Sequence, residues 1–195
     1  MRKTVEYSVG LAMLVALALV APHPAQATTI VAKNLSQLCA EADLVFLGTV
    51  STVKSQWADP QQQSIETLVT FTQIEPLFGT DSEDVTLRFA GGQMGDIREE
   101  VGGMPHFTPD QRLVIFARRE RSVSPIVGFN QGCLRVVEGP AGPVVTSADG
   151  HPITGIEGDR LTQGPLGGDP GSAMSLNQFL EVVRQKLQQR EKAGS

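Results

Sequence analysis

The sequence predicts a mainly β fold, an antiparallel barrel or sandwich with one short helix before it and one amphipathic helix after it. Three observations carry that expectation. Six or more short runs rich in Val, Ile, Leu, Thr and Phe follow one another between residues 44 and 153, a composition suited to a half-buried pleated surface. Most are separated by turns bearing Gly, Asn or Asp rather than by helix-length segments, which favours antiparallel neighbours. Only the stretch after Ser175 sustains a long apolar repeat at helical spacing.

The elements follow in order. Leu35, Leu38 and Cys39 fall at i, i+3 and i+4 behind Asn34, a capping residue, and predict a short helix. Leu44 to Val53 is dense in β-branched residues and predicts the first strand, with Gly48 placed where a bulge would bend it. Gln56 to Gln63 holds Trp57 and Pro60 and reads as a connecting loop, Trp57 capping the core. Ile65, Thr67, Val69 and Phe71 mark strand two. Val85, Leu87 and Phe89 alternate with Thr86 and Arg88, so that strand should have one wet face. Leu113 to Ala117 is apolar throughout, as in a strand covered on both sides. Ile126 to Phe129 and Leu134 to Val137 flank Asn130-Gln131-Gly132 and predict a hairpin, and Val144 to Thr146 and Ile153 flank Asp149-Gly150 in the same way.

Residues 28–154 are thus assigned to the β domain, and residues 155–174, loaded with Gly, Pro and Asp, to a flexible linker. Residues 175–192 are assigned to a helix packing on the barrel. Ser175 and Gln178 form a capping box, Met174 and Phe179 a hydrophobic staple, and Leu176, Phe179, Leu180, Val183 and Leu187 one apolar stripe. Lys186, Arg190 and Lys192 suit the negative pole of its dipole.

Residues 1–27 have the order of a cleavable signal peptide: Arg2 and Lys3, an apolar run from Val9 to Ala21, then Pro22, Pro24 and Ala25-Gln26-Ala27. The run is too short for a bilayer-spanning helix, which needs roughly 20 residues. The expected product is secreted or periplasmic and carries no membrane anchor after cleavage. The 195-residue chain has a formal net charge of −5, and the leader would remove two cations and one anion. Such an acidic balance argues against nucleic acid as a partner, since phosphate backbones demand a basic footprint. The basic cluster of Arg118, Arg119 and Arg121 is read as solvation of a strand end. Export would place Cys39 and Cys133 in an oxidising compartment and predicts a disulfide between them. The competing readings are two buried free thiols or a thiol nucleophile.

The phrase Ala42-Asp43-Leu44-Val45-Phe46-Leu47-Gly48-Thr49-Val50 resembles a family of bacterial exported proteins of uncertain function. The likeness continues through Val85 to Phe89 with Gly91-Gly92, Pro105-His106-Phe107 before Leu113 to Phe116, and Val127 to Gly132, and spans roughly residues 35 to 146. The opening phrase is also similar to the netrin-like modules of tissue inhibitors of metalloproteinases. That resemblance implies an OB-like barrel and raises protease inhibition. Those inhibitors bind the protease zinc through an N-terminal cysteine, whereas Thr28 would begin this mature chain, so the zinc-chelating step does not carry over.

No nucleophile elbow, H-E-x-x-H, P-loop or dinucleotide fingerprint is present in the sequence. No catalytic set, metal site or cofactor is assigned. The candidate binding surface is the glycine-bracketed segment bearing Gly91, Gly92, Asp96, Glu99, Gly102 and Gly103, with His106 beyond it. The reading that follows is an exported, non-enzymatic binding module with a protein partner. One alternative is an inhibitor or accessory partner of an exported metalloprotease. Another is a hydrolase in which a neighbouring carboxylate orients His106 for proton transfer.

Overall fold

The structure, a computed structural model, describes residues 31–120 and 122–193. The expected signal peptide lies outside these residues. Helix α1 spans Leu35–Glu41. Ten strands follow: β1 (Leu44–Trp57), β2 (Ile65–Phe78), β3 (Val85–Ala90), β4 (Gly92–Met94), β5 (Ile97–Glu99), β6 (Arg112–Ala117), β7 (Cys133–Gly139), β8 (Gly142–Ser147), β9 (Ile153–Glu157) and β10 (Arg160–Gln163). Helix α2 spans Leu176–Ala193. The fold is mainly β, its paired strands are antiparallel, and one of the two α-helices among the described residues is C-terminal.

Six strands form the main sheet in the order β3-β2-β1-β6-β7-β8. Its ends, β3 and β8, are not paired with each other, so the sheet is open and no closed barrel is found among the described residues. β1 sits near the middle and its partners differ in regularity. Against β6 it runs in continuous register from Leu44↔Ala117 to Thr49↔Arg112. Against β2 the register shifts three times, and Gly48 falls inside one shift, between Leu47↔Glu75 and Thr49↔Thr72. The bulge expected at Gly48 is present. A Cβ there would lie 2.8 Å from Ile74 Cδ1, so only glycine fits without displacing that side chain.

The period of two along β1 and β6 distributes their side chains over two cores. Val45, Leu47, Val114 and Phe116 face the helices, in a cluster with Leu35, Leu38 and Cys39 of α1 and the stripe Leu176, Phe179, Leu180, Val183 and Leu187 of α2. Phe46, Val50, Leu113 and Ile115 face the other way and join Val69 and Phe71 of β2 and Val85, Leu87 and Phe89 of β3. Neither described helix contributes a residue to this second cluster. The segment carrying Met104 and Phe107 packs against it instead, with Phe46 and Phe71 edge-on at 5.3 Å and Phe89 and Phe107 at 4.8 Å.

The two cores correct the expected disulfide. Cys39 belongs to the helix-side cluster and Cys133 to the opposite one, and both are buried free thiols. The sheet stands between them, so no side-chain rotation joins the sulfurs. Desolvation, their largest perturbation, raises the Cys39 thiol to about 11 and the Cys133 thiol to about 12, which also removes the thiolate a nucleophile needs.

One linker assignment and one hairpin assignment change as well. Part of the segment read as a linker forms the β9–β10 hairpin, whose turn residues Gly158 and Asp159 have φ of +51° and +72°, as a two-residue hairpin turn of this hand requires. Gly and Asp there mark a hairpin tip. Ile126 to Phe129 does not pair with β7: Ile126 makes a single bridge to Ala117, and the neighbours of β7 are β6 and β8.

Candidate functional site

The glycine-bracketed segment is a small hairpin tied across the sheet. β3 ends at Ala90, and Gly91 and Gly92, with φ of +85° and +143°, turn the chain into β4. A Cβ on Gly92 would stand 2.4 Å from Thr67 Oγ1 and 2.5 Å from Ser55 Oγ, so β4 lies directly on a pair of hydroxyls. Thr67 Oγ1 donates to Gly91 O at 2.7 Å, leaving it to accept from Ser55 Oγ at 3.1 Å. Ser55 Oγ in turn accepts from Gln93 N at 3.2 Å. On the other arm, Glu99 Oε2 accepts from Ile65 N at 2.9 Å. These bonds hold the hairpin to β1 and β2.

The segment after β5 returns beneath the hairpin and is pinned at two places. Phe107 inserts its ring among Phe71 and Phe89, and Val50 exchanges backbone bonds with Asp110 N and Gln111 O at 2.9 and 2.8 Å. Between hairpin and return segment lies a cleft of about 420 Å³, within the size range of small-ligand and peptide side-chain sites. Its walls include Gly91, Gly92, Glu99, Gly102, Gly103 and His106, so six of the seven residues singled out in the sequence share one cavity wall. Asp96 is the exception: it sits in the two-residue turn between β4 and β5, outside the cleft lining.

The structure adds residues that the sequence did not mark. Phe89 and Val53 supply apolar wall, Ser55 and Thr67 the hydroxyls, and Arg98, paired with the Glu100 carboxylate, a guanidinium at the rim. Ser55 and Thr67 carry no motif, and only the register of β1 on β2, Ser55↔Thr67, makes them neighbours.

The chemistry of the cleft is that of a mixed recognition surface. His106 is exposed and has no hydrogen bond or ion pair to a carboxylate among the described residues. Glu99, the nearest candidate by sequence logic, spends its Oε2 on the Ile65 amide. No group of three or more His, Cys, Asp or Glu residues among those described is arranged to hold a metal ion, and no described helix is long and apolar enough to cross a membrane.

A larger cleft of about 540 Å³ lies between α1, the Asn130-Gln131 turn and β10. Its central side chain is already engaged: Gln131 Oε1 accepts from Lys33 N at 2.7 Å and Nε2 donates to Val31 O and Gly128 O at 3.0 and 3.2 Å. That network pins the chain before α1. No protein-family model matches the chain, and no curated protein or solved structure matches it significantly.

Proposed function

We propose that this protein is an exported, non-enzymatic binding module that recognises a protein partner through the cleft between the Gly92–Glu99 hairpin and His106. The observation that supports it is the construction of that cleft. A projecting hairpin, anchored at its base by Ser55, Thr67 and Glu99, presents Arg98 and His106 beside Phe89 and Met104. Rigid anchoring beneath exposed polar and apolar groups is what a recognition surface needs, because little ordering remains to oppose association. The reading includes cleavage after Ala27 and a secreted or periplasmic location, supported by the leader's composition.

The resemblance to netrin-like modules supports a more specific version, in which the sheet is OB-like and the partner is an exported metalloprotease. Fold-level likeness is an analogy for function, so the partner has to be found directly. Immobilised mature chain should capture one protein at fixed stoichiometry from an extract of the exported fraction, and Arg98→Ala with His106→Ala should lose it. A turnover activity abolished by His106→Ala would instead establish the hydrolase alternative and overturn this reading.

A further inference from the structure

β1 is longer than the strand that flanks it. β6 covers its outer edge from Leu44 to Thr49, and the bonds of Val50 to Asp110 N and Gln111 O extend that cover by one residue. The chain before Asp110 then leaves the edge, since Phe107 packs on the second core. Val50 is fully buried, whereas Val53 keeps 38% of its exposure.

The direction of the backbone groups past this point follows from one bond. Ala58 N donates to Ser64 O at 2.9 Å, towards β2. The β1–β2 register runs unbroken from Trp57↔Ile65 back to Thr52↔Thr70, and backbone groups in such a ladder alternate in direction. Gln56 and Lys54 therefore face β2 as well, and the N–H and C=O groups of Val53, Ser55 and Trp57 face away from it. No described residue bonds to them. The described neighbours of the undescribed residues stand elsewhere. Val31 is bonded to Gln131, Glu120 and Ser122 line gaps beside Arg88 of β3, across β2 from β1, and Arg190 near the end of α2 reaches Cys39 and Ala42. None of these residues lines the cleft under the hairpin.

Val53 and Ser55 do line it, together with Phe89 and His106, so the open stretch of β1 is one side of that cleft. Unpaired backbone donors and acceptors at alternate positions are complemented by the backbone of another strand. We infer that the partner enters the cleft as an extended segment added to β1, antiparallel to it and in line with β6, bonding to Val53, Ser55 and Trp57. This rests on the reading of the cleft as a recognition site. A residue paired with Val53 points its side chain to the same face as Val53, where Val53 and Phe89 supply apolar wall, so alternate residues of the segment are apolar. Those between them share the face of Thr52 and Lys54, which is exposed, and are polar.

The test uses a labelled, end-capped peptide of alternating valine and threonine and two N-methylated forms of it, titrated with the full mature chain by fluorescence anisotropy. In antiparallel addition the valines opposite Val53 and Ser55 turn their N–H groups to β1, and the threonines turn theirs to solvent. The parent peptide should bind, and methylating the threonine amides should leave it bound. Methylating the valine amides should weaken binding about tenfold or more, the equivalent of about 1.4 kcal/mol. Val53→Pro removes one outward amide without touching the ladder to β2 and should weaken the parent peptide to a similar degree. If Val53→Pro melts early, the two methylated peptides decide. Failure of the parent peptide to bind, equal affinities of the methylated peptides, or unchanged affinity in a folded Val53→Pro overturns the inference. So does self-association that Val53→Pro abolishes, which gives the edge to a second copy. A partner that is lost with Arg98→Ala and His106→Ala but kept by Val53→Pro sinks strand addition and leaves the cleft reading standing, whereas capture of no partner by the parent chain removes that reading itself.

Discussion

Single residues at the candidate site are held by contacts that their type alone does not reveal. Gly92 matters because its φ of +143° and the hydroxyls of Thr67 and Ser55 leave no room for a Cβ. Gly92→Ala should therefore destabilise the protein by about 1–3 kcal/mol, the range for a strained backbone position, read as a fall in thermal midpoint. Gly95, whose Cβ would meet nothing within 4 Å, is the matched control, with only its φ of +58° to strain it. The cysteines give a second residue-scale prediction. Native protein should resist alkylation at neutral pH and take up two labels on denaturation, with the same mass before and after reduction. A mass gain of about two daltons on reduction would show a disulfide and contradict the two-core arrangement.

At the scale of elements, the helices depend on the sheet and on each other. Asn34 Oδ1 accepts from Gln37 N at 2.8 Å while Gln37 Oε1 accepts from Asn34 N at 2.9 Å, a reciprocal cap for a helix of only seven residues. At the other end Arg190 of α2 donates to Cys39 O and Ala42 O at 2.8 and 2.6 Å and lies 4.6 Å over the Phe78 ring. A guanidinium reaching the last carbonyls of α1 acts as its C-terminal cap. Arg190→Ala should cost about 1.5–3 kcal/mol, and Arg190→Lys should recover only part of it, since an ammonium cannot fork to two carbonyls and stack as well. Phe179, fully buried under the sheet, should cost about 3–5 kcal/mol as Phe179→Ala. Chemical denaturation reads both. The α2 stripe was legible because five apolar residues repeat at one period. The β9–β10 hairpin was not, because Ile156 and Leu161 are too few to set a period and Gly158-Asp159 resembles loop composition.

At the scale of the molecule, charge ties the parts together and sets its response to pH. Glu41 is held below the usual carboxylate range chiefly by its hydrogen bond from Lys33, with Arg118 assisting. Asp159 is lowered by Lys186 first and Ser36 second. Both folded values lie below the unfolded ones near 4, so this stability is full above that range and is lost as pH falls through the folded values. The raised thiols act on the alkaline side: their contribution is full below about 8.5 and declines as pH rises toward the folded values of about 11 and 12. Thermal midpoints measured across pH should form a plateau that drops first on the acid side below about 4. Lys186→Met should blunt the acid limb, and an unchanged limb would remove Asp159 from the account.

By itself the sequence determined the six strands of the main sheet and where the long helix lies, because hydrophobic period and turn chemistry are local properties. It also marked one side of the cleft wall, since paired glycines around a polar stretch identify a turn-rich projection. The tertiary structure alone decided what faces what. Alternation along β1 and β6 shows two sets of side chains but not that separate cores receive them, so Cys39 and Cys133 read as partners until the sheet was found between them. Ser55 and Thr67 were equally silent, because pairing register and sheet order are set by contacts between residues far apart in the chain.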